Sequence, residues 1–283
     1  MPYANTNGVQ IYFEESGPPD GEPALFVQGF SVQLITWNPG LLARFHQRGV
    51  RTICLDNRDV GLSQKFGGPQ DVDGGYSLED MADDGFAVFD ALSIERGHLI
   101  GQSMGGMIVQ VMANARPSRI KSLSLIYTLP SLDPRFLTGA TDGALMTQVQ
   151  PRLPRVAAID HVVERERMAG STEYPFQDTF IRGWAERAYD RCYAPDGLPR
   201  QFAAIFRTPQ PFADHSRLTM PTAIIHGRED RLLKSEASVE LARLIPHSEV
   251  RIYSGMGHEL VEALWDSYAD AICRTIERGR RTG

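Results

Sequence analysis

The chain has 283 residues, of which 42% are hydrophobic and 23% are charged, an ordinary balance for a globular protein. A chain of this length can bury a sizeable core without disulfides or a structural metal, so the composition excludes a disordered tail, a collagen-like rod and a small cysteine-rich scaffold. The formal net charge of −6 at pH 7 gives the protein no electrostatic reason to bind nucleic acid or an anionic membrane, and we expect neither partner.

An antiparallel hairpin is predicted at the start of the chain. Asn7-Gly8 is typical of a type I′ turn, and residues 9–13 have the composition of a strand. Six short apolar runs follow, of the near-continuous kind found in strands that are buried on both faces of a parallel sheet. They are residues 24–27, 50–55, 98–100, 123–127, 222–225 and 250–253.

Helical patterns alternate with these runs. In residues 78–92, apolar side chains recur near the 3.6-residue period, and Ser77 is suited to the N-terminal cap. Residues 104–115, 237–244 and 260–276 are further predicted helices. Strands that alternate with helices after a hairpin predict an α/β fold.

The alternation stops between residues 129 and 220. This stretch is rich in proline and aromatic residues, and its pattern indicates short helices joined by loops. We predict a helical cap over residues 129–220, inserted between two parts of an α/β core at residues 1–128 and 221–283.

The sharpest local signal is the G-x-S-x-G pattern from Gly101 to Gly105, with Ser103 at its centre. It lies between a predicted strand and a predicted helix, as in a nucleophile elbow, where a strained turn projects the serine hydroxyl above the sheet. Crowding of the two backbones explains the glycines. The pattern alone could be an ordinary glycine-rich turn, and the strand–turn–helix context favours a nucleophile.

A serine hydroxyl needs a base at neutral pH. His258 is the best candidate, because it lies in a loop directly after the last predicted strand, at the sheet edge where α/β proteins gather ligands. His226 also lies at a strand end, but its position in the chain order is less suitable. Asp230 follows residues 222–225 after a tight turn and is predicted to orient the imidazole. Asp133 is the competing acid and ranks second.

The chain resembles the α/β-hydrolase fold superfamily over nearly its whole length. The resemblance rests on residues 26–30 and 56–63, the elbow, and the segments around Asp230 and His258 in the order Ser, Asp, His. It implies a mostly parallel, eight-stranded sheet flanked by helices. It also implies an oxyanion hole formed by the backbone N–H groups of Phe30 and Met104. Gln28 stands where many relatives have His, which leaves the backbone donor in place.

Hydrolysis of a carboxylic ester through an acyl-enzyme is the leading hypothesis. Ser103 would attack the carbonyl, His258 would carry the proton to the leaving alcohol, and Asp230 would orient His258. The aromatic residues of the predicted cap indicate a small to medium, largely apolar substrate, although most of them could instead form the core of the cap. The candidate pocket residues are Gln102, Phe136, Trp184 and Phe206.

Other activities stay open at this point. Carbon–carbon hydrolases of ring-cleavage products share the elbow sequence but usually have Asn before the serine and Trp after the histidine, where this chain has Gln102 and Glu259. Cofactor-free perhydrolases, similar to haloperoxidases, also share the elbow. The RD-x-G-x-S pattern in residues 58–63 resembles polyketide methylesterases and bacterial carboxylesterases, and favours an esterase. A binding protein without turnover is disfavoured, because all three triad residues are present.

The cysteines, Cys54, Cys192 and Cys273, are odd in number and far apart, which argues against a disulfide framework. Without a CxxC pair or a His/Cys cluster, we expect no metal, and the proposed chemistry needs no organic cofactor. Residues 1–16 lack the features of a signal peptide, and no apolar stretch reaches the length of a membrane span. We therefore expect a cytoplasmic monomer or homodimer that acts on a small molecule.

Overall fold

The computed structural model describes residues 2–139 and 148–281, which build an eight-stranded sheet in the order β1-β2-β4-β3-β5-β6-β7-β8. β1 pairs antiparallel with β2 and β2 antiparallel with β4, whereas all other neighbouring strands are parallel. The predicted, mostly parallel sheet is confirmed. The strands are β1 (Tyr3–Thr6), β2 (Val9–Ser16), β3 (Glu22–Val27), β4 (Val50–Leu55), β5 (Gly97–Gln102), β6 (Ile120–Ile126), β7 (Thr222–Gly227) and β8 (Ser248–Tyr253).

Helices connect the parallel strands. Helices α2, α3 and α7 match their predicted bounds to within one residue, whereas the last helix was predicted from residue 260 and begins at Trp265, after a short 3-10 turn. α1 was not predicted. The helices in the described residues are α1 (Pro39–His46), α2 (Leu78–Ala91), α3 (Met104–Ala115), α4 (Arg155–Ala169), α5 (Asp178–Cys192), α6 (Gly197–Arg207), α7 (Glu236–Leu244) and α8 (Trp265–Arg281).

The N-terminal hairpin has the predicted turn. Asn7 and Gly8 join β1 to β2 with φ angles of 48° and 83°, and a type I′ turn requires positive φ at both positions. β2 then continues beyond the predicted strand and pairs with β4, with Phe13 opposite Leu55. The hairpin therefore extends one edge of the sheet.

The hydrophobic core lies on both faces of the sheet. α2, α3 and α7 cover one face, and α1 and α8 cover the other. Consecutive residues of β3 alternate between the two faces of the sheet. Leu25 packs on the face covered by α2, α3 and α7, and Phe26 packs on the face covered by α1 and α8. Because both faces are covered, the central strands consist largely of buried apolar residues, which is why their positions could be predicted.

The carboxyl ends of the parallel strands meet at one edge of the sheet, and this edge positions the candidate site. Ser103 directly follows β5 and Tyr127 directly follows β6, while Asp230 and His258 lie in the loops after β7 and β8. Four segments that are distant in sequence are therefore brought together by the parallel topology.

Helices α4, α5 and α6 lie between β6 and β7, where the cap was predicted, and we call them the cap helices. α4 and α5 pack on each other through a small core that includes Ile159, Ile181 and Trp184. The proposed bounds of 129–220 stay a prediction, and residues 140–147 within them lie outside the described residues. No helix in the described parts of the chain is long and apolar enough to cross a membrane.

Candidate active site

Ser103 occupies a strained turn between β5 and α3. Its φ of 53° and ψ of −122° lie where residues with a side chain are rarely found, as expected for an elbow. The flanking glycines are required by space. A Cβ added to Gly101 would lie 2.3 Å from the Gly105 carbonyl oxygen, and one added to Gly105 would lie 2.1 Å from the Val27 carbonyl oxygen. Any larger residue at either position would push the elbow away from the sheet.

The residues that follow β6 hold the serine backbone. The Ser103 N–H donates to the Ile126 carbonyl at 2.9 Å, and the Thr128 hydroxyl donates to the Ser103 carbonyl at 2.8 Å. Between them lies Tyr127, whose ring centroid is 4.4 Å from that of the His258 imidazole. The Ser103 backbone and the His258 ring therefore both contact the segment of residues 126–128.

Asp230 faces His258 as predicted from the sequence. Its Oδ2 lies 2.6 Å from His258 Nδ1, while its Oδ1 accepts the backbone N–H groups of Leu232 and Leu233 at 2.8 and 2.9 Å. The competing acid Asp133 is elsewhere, because its carboxylate caps the Arg135 N–H at 3.0 Å and pairs with the Arg135 guanidinium. Of the two carboxylates, only Asp230 can orient His258.

The environment of Asp230 keeps its carboxylate ionised. Burial alone would raise the pKa of this carboxyl, but the facing imidazoles of His258 and His226 outweigh burial and hold the pKa well below its usual range. In serine hydrolases, such a charge beside Nδ1 stabilises the imidazolium that forms when the histidine takes up the serine proton.

His226 is a second histidine on Asp230, and sequence reasoning missed this role. The His226 side chain is fully buried, with Nε2 3.0 Å from the Leu233 carbonyl and 3.2 Å from Asp230 Oδ2. A carbonyl can only accept, so Nε2 carries the proton, and Nδ1 accepts from the Ser238 hydroxyl at 2.7 Å. His226 therefore fixes the carboxylate that orients His258. The spacing of four residues between His226 and Asp230 across a tight turn was the available signal.

The loop that carries His258 is held by residues at the end of α4. The His258 N–H donates to the Ala169 carbonyl at 2.8 Å, and the Gly257 N–H donates to Ser171 Oγ at 3.0 Å. In return, the Glu259 carboxylate accepts the Ser171 N–H at 2.6 Å. The base candidate is thus positioned by the cap as well as by the sheet.

Ser103 and His258 make no direct hydrogen bond with each other. Within residues 2–139 and 148–281, Ser103 Oγ has no hydrogen-bond partner, and the His258 ring bonds only to Asp230. Catalytic hydrogen bonds are often long in an enzyme without substrate and shorten when substrate binds. The arrangement leaves both the hydroxyl and Nε2 available for a substrate.

The two backbone N–H groups predicted for the oxyanion hole belong to the residue after Ser103 and to the loop after β3. Met104 is the first residue of α3, so its N–H has no carbonyl partner within the helix. The loop of Phe30 adjoins the serine, because a Cβ added to Gly29 would lie 3.7 Å from Ser103 Oγ. Neither the Phe30 nor the Met104 N–H donates a hydrogen bond in the described part of the chain.

Gln102 belongs to a chain of partly buried polar groups. The Tyr127 hydroxyl donates to its carbonyl at 2.6 Å, and its amide donates to Gln28 Oε1, while the Gln28 amide donates to Thr36 Oγ1 at 2.6 Å. Burial raises the pKa of the Tyr127 phenol, which therefore remains a donor. Gln28, which stands where many relatives have His, thus binds Gln102, which stands where ring-cleavage hydrolases usually have Asn. A substrate-binding role for Gln102 stays a prediction.

The three aromatic pocket candidates lie in different surroundings. Phe136 is buried in the core on the face of the sheet that α2, α3 and α7 cover, Trp184 packs in the core between α4 and α5, and Phe206 is 62% exposed, with its ring against Phe202. The structure does not gather them at Ser103, and their role in binding stays a prediction. Among the described residues, no group of three or more metal-ligating side chains is placed to hold a metal ion.

A family model described as the alpha/beta hydrolase fold matches residues 25–262, which include all the site residues described above. The chain belongs to the α/β hydrolase fold family. Its elbow, its sheet order and the Asp230–His258 pair after β7 and β8 are the features of this family that the structure displays.

Proteins similar to this family member have different activities. A non-heme chloroperoxidase of Burkholderia pyrrocinia is 25% identical over 275 residues, 92% of this chain and 94% of that protein. The rhodomycin D methylesterase DauP of Streptomyces sp. (strain C5) is 25% identical over 288 residues, 94% of each chain. A meta-cleavage product hydrolase of Pseudomonas fluorescens IP01 matches structurally with a TM-score of 0.73 at 19% identity, over 97% of each chain, which shows a shared fold.

Proposed function

We propose that the protein is a serine hydrolase that cleaves carboxylic esters of small to medium, largely apolar molecules. Ser103 Oγ attacks the ester carbonyl while His258 Nε2 takes the hydroxyl proton, and the Phe30 and Met104 N–H groups receive the oxyanion. His258 then protonates the leaving alcohol. Water attacks the resulting acyl-serine with His258 again as the base, which releases the acid and restores Ser103.

One observation carries the proposal, namely the 2.6 Å contact between Asp230 Oδ2 and His258 Nδ1, with the His258 ring against Tyr127 of the segment that holds the strained elbow of Ser103. An ionised carboxylate on Nδ1 leaves Nε2 unprotonated, which is the form of imidazole that can accept a proton from a serine. A merely structural aspartate–histidine pair has no need of a serine in a high-energy backbone conformation nearby.

Two positions favour ester cleavage over carbon–carbon cleavage. The residue before the serine is Gln102, whose carbonyl and amide are both engaged by Tyr127 and Gln28. The residue after the histidine is Glu259, whose carboxylate accepts the Ser171 N–H. Gln102 and Glu259 therefore bond to other residues of the protein. Ring-cleavage hydrolases usually have the side-chain amide of Asn and the indole of Trp at these two positions. The full-length similarity to a methylesterase is a further support.

The proposal is tested with a substrate panel. The panel contains p-nitrophenyl esters of increasing acyl length, methyl esters of aromatic acids, a ring-cleavage dienone, and acetate with hydrogen peroxide to detect peracid. We expect the highest kcat/KM on an ester with an apolar acyl or alcohol group. A higher kcat/KM on the dienone, or peracid formation that exceeds every ester rate, would contradict ester hydrolysis as the main activity.

A matched pair of serine variants shows whether turnover depends on the elbow. Ser103→Ala should lose ester hydrolysis to background, whereas Ser93→Ala should retain it. Ser93 is a suitable control because its φ of 55° is close to the 53° of Ser103, so both variants place alanine at a positive φ. Equal activity in the two variants would remove Ser103 from the mechanism.

A further inference from the structure

Three consecutive residues of the cap helix α6 reach into the core. Arg200 is 1% exposed, and its guanidinium pairs with the buried Asp59 at 2.9 Å. Gln201 is fully buried, and the Phe202 ring packs edge-on against Phe30 with centroids 6.0 Å apart. This part of α6 therefore supports the loop that carries the proposed oxyanion donor.

Gln201 uses both ends of its side-chain amide. Its Oε1 accepts the Ser31 N–H at 2.8 Å, and its Nε2 donates to the Arg58 carbonyl at 2.8 Å. Arg58 is itself fixed, because its guanidinium makes two 2.7 Å hydrogen bonds to the Asp84 carboxylate in a buried pair. Gln201 thus links the loop of Ser31 to a rigid part of the core, across 170 residues of sequence.

The hydrogen bonds of this loop single out one donor. The Gly29 N–H donates to Gln28 Oε1 at 3.3 Å, and the Ser31 N–H donates to Gln201 Oε1, whereas the Phe30 N–H between them has no acceptor among the described residues. Ser31 is held at a φ of 62°, which turns the chain sharply after Phe30 and is costly for a residue with a side chain. The bond to Gln201 opposes relaxation of this turn.

We propose that Gln201 is a positioning residue of the oxyanion hole, acting through Ser31 to aim the Phe30 N–H at the reacting carbonyl. The inference rests on the proposed function, because it assigns Gln201 a part in ester hydrolysis. Oxyanion donors stabilise a transition state when they are held in place before the charge develops. A loop fixed on both sides of Phe30 meets that requirement.

The test replaces Gln201 with a side chain of similar shape that cannot hold the loop. Gln201→Met removes both hydrogen bonds, and we expect kcat on the best ester to fall at least tenfold while KM changes less than twofold. The affinity for a trifluoromethyl ketone, which forms a tetrahedral oxyanion on the serine, should fall by the same factor as kcat. If Gln201→Met does not fold, Gln201→Asn is measured instead, with the same expectation, since its shorter amide cannot span Ser31 and Arg58.

Thr208→Val is the matched control. Thr208, the residue after α6, is buried, and its hydroxyl oxygen accepts the Leu78 N–H at 2.9 Å, away from the oxyanion loop. It should lose stability with kcat and ketone affinity unchanged. The inference is contradicted if a folded Gln201 variant keeps wild-type kcat and ketone affinity, or if Thr208→Val loses as much of both. In either case the proposed ester hydrolysis still stands. Wild-type protein without Ser103-dependent hydrolysis overturns the proposed function, and the inference with it.

Discussion

The substitution Asp230→Asn changes the proposed mechanism at one atom. In the wild type, Oδ1 accepts two backbone N–H groups, and Oδ2 faces His258 Nδ1 at 2.6 Å and His226 Nε2 at 3.2 Å. An asparagine keeps its oxygen on the two backbone donors, so its NH₂ group replaces Oδ2. The NH₂ group then needs an acceptor at the position where both imidazoles now present donors.

The size of the effect follows from this geometry. His258 must turn its lone pair to the new NH₂ group and carry its proton on Nε2, where it can no longer accept the Ser103 proton. We expect kcat to fall on the order of 10³–10⁴-fold, as is typical when the tautomer is wrong. The His226 Nε2–H loses part of its acceptor set, so the free energy of unfolding should fall by about 1–3 kcal/mol.

The assay compares steady-state ester hydrolysis with urea unfolding for Asp230→Asn and Asp133→Asn. Asp133→Asn should keep wild-type kcat, because Asp133 caps a short turn at Arg135 and does not touch His258. Retention of more than a tenth of kcat in Asp230→Asn would refute the assigned role. A large loss in Asp133→Asn alone would move that role to the other acid.

Two further predictions concern stability. Gly105→Ala should lower the free energy of unfolding by about 3 kcal/mol, because a clash with the rigid Val27 carbonyl outweighs the helix preference for alanine. In the same urea unfolding assay, Gly183→Ala should raise the free energy of unfolding, because a Cβ there meets only the end of a flexible arginine at 3.6 Å. Burial lowers the pKa of His98 and of His215 to about 4. Above about pH 6.5 each histidine is neutral in both the folded and the unfolded state, and the protein keeps its full stability. As the pH falls from 6.5 towards 4, each histidine is protonated more readily in the unfolded state, which should lower the free energy of unfolding by up to about 3 kcal/mol. Urea unfolding of His98→Gln and His215→Gln should show a weaker dependence on pH over this range, and an unchanged dependence would contradict the assignment.

Much of the fold could be predicted because local patterns and tertiary burial agree. Each of the six apolar runs overlaps one of β3 to β8, and only Tyr127 falls outside, as the first residue beyond β6. α1 was missed although Asn38 caps its first turn and Pro39 is its first residue, because its eight residues are too few to show a clear helical period. The last helix begins later than predicted, since residues 262–264 form a 3-10 turn before Trp265.

The candidate site was predictable where it follows the sheet and not where it depends on the cap. Asp230 and His258 come after β7 and β8, so topology alone predicts that they meet. The contacts of Ala169 with the His258 loop and of Gln201 with Ser31 join segments 89 and 170 residues apart. Such contacts depend on how the cap helices dock on the core, and no local pattern in the sequence encodes that docking.

The most direct test of the central claim is covalent labelling with a fluorophosphonate, followed by intact-mass analysis and peptide mapping. This reagent reacts with a serine that a neighbouring base has activated, and it requires no knowledge of the natural substrate. We predict stoichiometric labelling of the wild-type protein on the peptide that contains Ser103, no labelling of Ser103→Ala, and much slower labelling of His258→Gln. Folded wild-type protein that stays unlabelled, or a label found on another residue, would contradict the claim that Ser103 is an activated nucleophile.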